Sequence, residues 1–335
     1  MSFPRLLGIV SILLFGGIFV ISLLKEKKPK QSSLSLKSSS EVKLDDRVIQ
    51  LVETEKREEK VSHLKAEEPV ESSVVKSEDL PDADRIDELF NTGESQLPIV
   101  ETISYTSRVP WIKGRPAWIA DYAVHYKTPR YFISRSLSGE RDYFAHNVVN
   151  GDHFNIFKQD KNFSFHLLVD LQRSKMWFYY FDEDLNERVL LKTYPVGLGQ
   201  RNKKSASGFL TPLGTYLLGN KVAIYKPGIK GFFNHQKVEM IRVFGSRWIP
   251  FEKEIKSYTA PAKGLGLHGL PWIEDSHTGQ LVENQDSIGK YESDGCIRLM
   301  MEDIEELYAI ILTKPTYIHL VKDFFDAELP GEEKS

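Results

Sequence analysis

The fold of this chain is decided by the stretch FHLLVDL (Phe165–Leu171), the triplet QRS (Gln172–Ser174) and the stretch KMWFYYF (Lys175–Phe181). The two longer stretches are dominated by aromatic and aliphatic residues, which fit the pleated surface of a sheet. The polar triplet between them has the length and composition of a hairpin loop. We therefore predict two antiparallel strands here and expect a β-sheet domain to be built around them.

The segment around this hairpin, residues 163–323, contains further strand patterns and one helical pattern. Strands are predicted after Thr211–Thr215 and at Val189–Val196, Lys221–Tyr225, Val238–Phe244, Leu265–His268 and Thr316–Val321. Helical spacing runs from Met301 to Leu312. Many strands with one late helix predict a mainly β domain, followed by an acidic tail at 324–335 that we expect to be disordered.

The N-terminal part of the chain has a different composition. Residues 1–24 include Leu6–Leu24, an uncharged run of 19 apolar or small residues, which is long enough to cross a bilayer. Because its exit, Ser22–Lys25, is a poor cleavage site, we predict an uncleaved signal anchor, a single transmembrane helix. The lysines that follow it favour a cytoplasmic C-terminal side. Residues 25–107 are polar and serine-rich and predict a disordered stalk.

Residues 108–160 are predicted to form a small α+β module. Helical spacing at Ala117–Lys127 is followed by a second helix start at Thr128-Pro129 and by Val149–Asp152 before a short strand. This order resembles the LysM module, a βααβ domain that binds N-acetylglucosamine polymers. The resemblance implies a glycan partner. The usual Gly-Asp-Thr-Leu turn is replaced by Gly114–Ala117, so a structural spacer of unrelated origin is the alternative.

Composition limits the function classes that remain. The net charge is −3, which gives no indication of a nucleic-acid partner. Cys296 is the single cysteine, so an intrachain disulfide is excluded and a cysteine-based zinc site is disfavoured. We expect neither a cofactor nor a metal. Outside the cytoplasm this thiol would have no internal partner, which favours a reactive role.

The surroundings of that cysteine read Ser293-Asp294-Gly295-Cys296-Ile297-Arg298. Gly295 allows tight backbone geometry just before the sulfur, and the amides of Gly295 and Cys296 could face a developing oxyanion. In an extended segment Arg298 lies on the same face as Cys296, where a cation lowers a thiol pKa and can bind carboxylate. Against this stands the ordinary behaviour of a free cysteine, which is a small buried apolar group.

His268, in Gly266-Leu267-His268-Gly269, is the candidate base for this thiol. It closes an apolar strand 28 residues before the cysteine, and the flanking glycines leave room for close approach. A neutral imidazole can take the thiol proton and return it to a leaving amine. His277, which lies between the two, is the second choice.

These motifs resemble the signature of the L,D-transpeptidase (YkuD-type) catalytic domain. The similarity extends to Pro195–Gly199 and Thr211–Tyr216 and covers roughly residues 163–322. It implies a curled β-sandwich in which Cys296 is the nucleophile and His268 the base. It further implies that the Gly269 carbonyl orients the imidazole, and that amides around Gly295 and Cys296 bind the oxyanion. Arg298 would bind substrate carboxylate, and Ser293 would shape the turn.

Two departures from the family pattern stand out. The family usually has His at the position of Asp294, and a carboxylate beside the thiol should raise the cysteine pKa unless it pairs with Arg298. The separation between His268 and Cys296 is also longer than usual. The surplus lies within residues 270–287 and predicts an enlarged loop beside the cleft, either a lid, an acceptor-selecting element or a passive insertion.

The resemblance implies an activity on peptidoglycan. Family members form a thioester on a stem tetrapeptide with release of D-alanine, then pass the acyl group to a diamino-acid amine to give a 3→3 cross-link. Two alternatives stay open: an L,D-carboxypeptidase with water as the acceptor, and a non-catalytic wall-binding protein. All three require the catalytic domain to face the wall, in the periplasm, so we set the lysine signal after Leu24 aside.

Overall fold

The computed structural model describes residues 80–93, 95–141 and 147–334. The predicted anchor at Leu6–Leu24 and most of the predicted stalk lie outside these residues. Within the described ranges, no helix has both the length and the apolar character needed to span a membrane.

The N-terminal module is built around a two-stranded antiparallel sheet. It contains α1 (Asp87–Phe90), β1 (Val100–Ser104), α2 (Ile119–His125), α3 (Arg130–Ser138) and β2 (His153–Phe157). β1 pairs with β2 along their whole length. In sequence order the module is thus strand, helix, helix, strand, with the two strands paired. Their apolar sides form a small core of Tyr105, Ala117, Ile119, Tyr122, Ile133, Phe154 and Ile156.

The prediction of a stalk extending to residue 107 is wrong for residues 80–107. Leu89 and Ile99 in this region are fully buried, and β1 supplies half of the module sheet. The few apolar residues of this polar stretch are buried against α3 and against strands of the C-terminal segment. Composition alone does not reveal such tertiary contacts.

The C-terminal segment, residues 163–334, forms one large mixed sheet with short accessory hairpins. Its strands are β3 (Phe163–Asp170), β4 (Lys175–Asp182), β5 (Glu187–Pro195), β6 (Leu198–Gly199), β7 (Gly214–Leu218), β8 (Ala223–Ile224), β9 (Lys230–Phe233), β10 (Gln236–Glu239), β11 (Arg247–Lys256), β12 (Gly266–Gly269), β13 (Trp272–Glu274), β14 (Leu281–Glu283), β15 (Tyr291–Ser293), β16 (Ile297–Leu299), β17 (Thr316–Val321) and β18 (Glu332–Lys334). The main sheet has the order β16-β12-β11-β7-β17-β3-β4-β5-β18, and β8 pairs with β11. The helices of this segment are α4 (Ile241–Phe244) and α5 (Met301–Ile311), with 3-10 turns at Gln285–Ser287 and Phe324–Asp326.

The hairpin that decides the fold is the centre of this sheet. β3 pairs with β4 from Phe163↔Asp182 to Asp170↔Lys175, and every residue of β3 is buried. One face belongs to the main core with Phe165 and Phe178. The other face, with Trp177, packs against Leu80 and against residues near the C-terminus such as Phe324. Burial on both faces explains why the two strands are almost continuously apolar rather than alternating.

Residues 324–334 of the acidic tail are ordered, contrary to the predicted disorder. Phe324 packs on Trp177 with ring centroids 4.6 Å apart, and β18 pairs in parallel with β5. Leu329 joins the same apolar cluster. A few apolar anchors are therefore enough to hold a segment whose charge predicts disorder.

One long strand was not predicted. β11 spans ten residues, pairs first with β12 and then with β7, and carries Pro250 inside it. A proline within a run argues against a central strand, but here the residue lies where β11 exchanges one partner for the next. The predicted strand at Val238–Phe244 is correspondingly wrong in part, because α4 follows β10 before β11 begins.

Candidate active site

The cysteine turn is closed by a serine. Ser293 is 2% exposed; its Oγ donates to the Cys296 carbonyl at 2.6 Å and accepts from the Gly295 N–H at 3.2 Å. Gly295 has φ +118°, a conformation that favours glycine. The Gly295 amide is thus engaged within the turn, which does not fit the predicted role of this N–H as an oxyanion donor.

A second motif supports this turn from behind. A Cβ atom on Gly199 would lie 2.5 Å from the Thr211 nitrogen and 3.0 Å from Gly295 Cα, so only glycine fits there. The Gly199 N–H donates to the buried Thr211 Oγ1 at 2.8 Å. The Thr211–Tyr216 motif therefore positions the cysteine turn through Gly199 and does not itself contact the thiol.

Parallel pairing of β12 with β16 brings the predicted base and nucleophile to one face of the sheet. His268 is opposite Arg298 in this register, which places Cys296 opposite Gly266, two residues before the histidine. Side chains two residues apart along a strand point to the same face. The ring of Trp248 lies 5.9 Å from that of His268, and Cys296 packs against the cluster to which Trp248 belongs.

His268 is held in one orientation. Its side chain is 3% exposed, and Nδ1 donates to the Gly269 carbonyl at 2.7 Å. Because a carbonyl only accepts, Nδ1 carries the proton and Nε2 is left with its lone pair. Burial lowers the pKa of His268 to about 4, although the Gly269 and Phe244 backbones partly offset this.

The Cys296 thiol is partly buried beside an apolar wall. Burial raises its pKa to about 11, while the Gly266 backbone and Arg298 act in the opposite direction. Its Sγ lies 3.7 Å from the Gly264 carbonyl, and no hydrogen bond joins it to His268 in this conformation of the described residues. The resting site therefore contains a neutral thiol and a neutral imidazole, not an ion pair.

Arg298 supplies the positive charge of the site. Its backbone pairs with Gly197 through two hydrogen bonds, of 2.9 and 2.8 Å. Burial lowers the pKa of Arg298, whereas Glu292, Cys296 and Asp294 act to raise it. Its Nε is buried without a hydrogen-bond partner among the described residues. This guanidinium thus retains binding capacity for an anion beside the thiol.

Asp294 has a smaller effect than its position in the motif suggests. It is exposed, and within the described part of the chain it forms no salt bridge with Arg298. Among the causes that shift the Cys296 pKa, Asp294 is the weakest, after burial, Gly266 and Arg298. The exchange of the usual histidine for this aspartate is therefore not what keeps the thiol neutral.

The apolar wall beside the thiol was missed by sequence reasoning. Trp248 from β11 and Trp272 from β13 belong to one cluster that also includes Cys296. The Trp272 Nε1 is buried without a hydrogen-bond partner among the described residues. The signal in the sequence was the Pro271-Trp272 pair directly after the histidine motif, but its proximity to Cys296 depends on sheet register.

The enlarged loop at 270–287 is a β-hairpin. β13 pairs with β14, and the turn is closed by Asp275, whose Oδ1 accepts from the Thr278 N–H at 2.7 Å. His277, the second choice as base, is exposed in this turn. In the described ranges no group of His, Cys, Asp and Glu could hold a metal ion.

The register of β12 and β16 thus places a buried imidazole, a thiol and an arginine on one face of the sheet. Residues 164–320 match the YkuD family, the L,D-transpeptidase catalytic domain. This match confirms the predicted resemblance and agrees with the mainly β fold of this part of the chain. The comparisons lend no support to a LysM relationship for residues 108–160.

Two solved structures are similar to parts of the chain. Bd1075 from Bdellovibrio bacteriovorus has 18% identity, 48% coverage of each chain and a TM-score of 0.30. The helical cell shape determining protein Pgp2 from Campylobacter jejuni has 16% identity, 51% coverage of each chain and a TM-score of 0.33. The chain thus spans about half the length of these structures. No curated protein matches it significantly.

Proposed function

We propose that this protein is a peptidoglycan L,D-transpeptidase. Cys296 would form an acyl-enzyme on a stem tetrapeptide with release of D-alanine. The acyl group would then pass to a diamino-acid side-chain amine to form a 3→3 cross-link. The observation that carries this proposal is the common face of Cys296, His268 and Arg298, with the imidazole fixed by the Gly269 carbonyl.

The first step follows from the neutral resting pair. As the sulfur attacks the substrate carbonyl, its proton moves to His268 Nε2, so no free thiolate has to exist beforehand. The carbon–nitrogen bond then breaks, and the imidazolium returns the proton to the leaving amine. Arg298 stabilises the negative charge that develops on the oxygen or on a substrate carboxylate.

The second step reverses the direction of proton transfer. An acceptor amine attacks the thioester carbonyl and gives its proton to His268 Nε2, and the departing sulfur takes that proton back. In this step a carbon–nitrogen bond forms, the carbon–sulfur bond breaks, and the thiol is regenerated. If water enters in place of the amine, the same residues catalyse carboxypeptidase chemistry.

The location of the domain belongs to the same proposal. The apolar run Leu6–Leu24 has the length of a membrane anchor, and peptidoglycan lies outside the cytoplasm. We place the catalytic domain in the periplasm on a single-pass anchor. A C-terminal fusion to a reporter that works only in the cytoplasm tests this placement. Activity of that reporter would contradict the periplasmic location and, with it, the proposed peptidoglycan substrate.

Incubation of the full chain with disaccharide-tetrapeptide, followed by mass analysis of the products, tests the activity. Cross-linked dimers with loss of D-alanine are expected, and Cys296→Ala should give none. Disaccharide-tripeptide alone would identify a carboxypeptidase. If neither product appears and a carbapenem leaves no adduct on folded protein, a non-catalytic binder is the correct interpretation.

A further inference from the structure

An open cavity of about 420 Å³ lies between the small module and the catalytic domain. It is lined by residues of α1, of α3 and the glycine that ends it, and of α5, among them Asp87, Phe90, Arg135 and Glu306. No residue of the cysteine turn or of β12 lines it, so this cavity is separate from the site described above. Cavities at the junction of two packed units are common places for small ligands.

Arg135 is the unusual member of this lining. Its Nε and Nη2 are shielded from solvent and have no hydrogen-bond partner among the described residues, and none of its side-chain nitrogens donates a hydrogen bond there. The Phe90 ring lies near the guanidinium, with 5.9 Å from Cζ to the ring centroid. Glu306 and Glu305 favour the charged form of Arg135, but within the described residues Arg135 forms no ion pair. A partly buried cation without an ion pair costs stability, and a bound anion would offset that cost.

The acid nearest to Arg135 in this cavity does not fill that need. Glu306 forms a 2.9 Å ion pair with Lys192 and accepts from the Tyr194 hydroxyl at 2.9 Å. Its charge is therefore already compensated. Asp87, in contrast, is exposed and forms no ion pair among the described residues. The lining thus presents one cation without an ion pair in the described residues, one exposed acid and an aromatic ring near the cation.

We propose that this cavity is a second binding site, one that takes the zwitterionic end of an amino acid or short peptide. The ligand carboxylate would bind the Arg135 guanidinium, and its ammonium group would face Asp87. Phe90 would contact the aliphatic part between them. This site does not depend on the chemistry of Cys296, and it stands whether or not the proposed activity is correct.

The test uses saturation-transfer difference NMR on the full chain with three methyl-bearing probes. Alanine carries both charges, acetate carries only the carboxylate, and ethylammonium carries only the ammonium. We expect saturable binding of alanine, about fivefold weaker binding of acetate because the contact with exposed Asp87 is lost, and no saturable binding of ethylammonium. Cys296→Ala should leave all three results unchanged.

Two variants and a matched control make the result specific. Arg135→Gln should weaken alanine binding about tenfold or more, because a charge-assisted hydrogen bond is lost. Its melting temperature should change little, since within the described residues no hydrogen bond or ion pair of Arg135 is removed. Asp87→Asn, at an exposed position, should reduce alanine binding to the level of acetate. Arg115→Gln, an exposed arginine of the same module that pairs with Asp121, should change nothing.

Several outcomes would overturn the proposal. Unchanged alanine affinity in Arg135→Gln would show that Arg135 does not bind the ligand. A marked fall in the melting temperature of this variant would show that Arg135 instead stabilises the fold. Equal affinity for acetate and alanine would refute the zwitterionic ligand. Loss of binding in Cys296→Ala would place the ligand in the catalytic site instead.

Discussion

Two buried histidine sites lie in the same sheet, and they differ in what their nitrogens contact. In the first, His268 Nδ1 donates to the Gly269 carbonyl, and within the described residues Nε2 forms no side-chain hydrogen bond. This imidazole lies on the face that carries Cys296. In the second, His166 and His319 of β3 and β17 bond to each other at 2.9 Å. Their outer nitrogens lie 3.2 Å from Ser164 and Thr215 hydroxyls respectively.

Burial acts in the same direction at both sites. It lowers the pKa of His166 to about 3 and the pKa values of His268 and His319 to about 4. A shifted pKa therefore does not separate the catalytic histidine from the structural pair. The separation comes from hydrogen bonding, because every nitrogen of the pair is occupied, whereas His268 keeps one for a proton from the thiol.

The largest effect is expected from removing the free nitrogen or the thiol. His268→Ala and Cys296→Ala should each reduce formation of product from disaccharide-tetrapeptide by about 10³-fold or more. The first variant removes the group that accepts the proton, and the second removes the nucleophile. Product analysis by mass spectrometry measures this. His319→Gln, in the structural pair, is the matched control and should retain activity below its melting temperature. Comparable loss in this control would erase the distinction between the sites.

The second effect concerns the resting state of the thiol. With a pKa of about 11, the thiolate fraction rises about tenfold for each pH unit between 7 and 10. Since Cys296 is the single cysteine, iodoacetamide labelling followed by intact mass reports this site alone. The labelling rate should therefore increase about 10³-fold from pH 7 to pH 10. The labelling rate of glutathione, a thiol with an ordinary pKa, should level off at a lower pH.

Arg298→Gln provides the control for that measurement. Arg298 lowers the pKa of the thiol, so its removal should slow labelling at pH 8. A rate for the wild type that is already at its plateau at pH 7 would indicate a thiolate–imidazolium pair and would contradict the neutral mechanism.

The third effect is the pH dependence of stability that the structural pair imposes. Both histidines have folded-state pKa values below the ordinary value of 6.5, so the unfolded chain takes up protons first as the pH falls. Their contribution to stability is complete above pH 6.5 and is lost as the pH falls towards about 4. Each histidine that stays neutral contributes a slope of about 1.4 kcal/mol per pH unit within that window.

Urea unfolding at pH 7 and pH 5 checks this slope. The double variant His166→Phe with His319→Phe should lose less stability between the two pH values than the wild type. At pH 7 it should be less stable by about 1–3 kcal/mol, because the Ser164 and Thr215 hydroxyls lose their partners. Identical pH dependence in the two proteins would show that other groups dominate acid unfolding.

Much of this architecture was predictable where the information is local. The hairpin was predicted because the loop chemistry is encoded in adjacent residues: Asp170 Oδ1 accepts from the Gln172 and Arg173 N–H groups at 2.8 Å. The helix α5 and the strand β17 were likewise clear from their own periodicity. The βααβ order of the module also agrees with the predicted order, although its first strand lies before the predicted boundary at residue 108.

What could not be predicted depends on distant partners. The ordered tail relies on Phe324 packing against Trp177, and β11 relies on two successive strand partners. At the site, the resemblance indicated which residues meet, but the neutral state of the thiol arises from burial beside Trp248 and Trp272. That burial is set by sheet register and by a hairpin inserted between His268 and Cys296.

The smallest expected effect belongs to Asp294, the residue whose identity departs from the family motif. Its carboxylate is exposed, and an exposed charge changes a neighbouring equilibrium by less than about 1 kcal/mol because water and salt screen it. Asp294→Asn should therefore raise the labelling rate of Cys296 at pH 8 by no more than about fivefold, and less at high salt. The direction follows because Asp294 raises the thiol pKa.

An increase in the labelling rate well beyond fivefold, with a shift of the labelling curve towards pH 8.5, would mean that Asp294 rather than burial keeps the thiol neutral. The contrast between the two histidine sites would then reflect a local charge and not the one free nitrogen of His268.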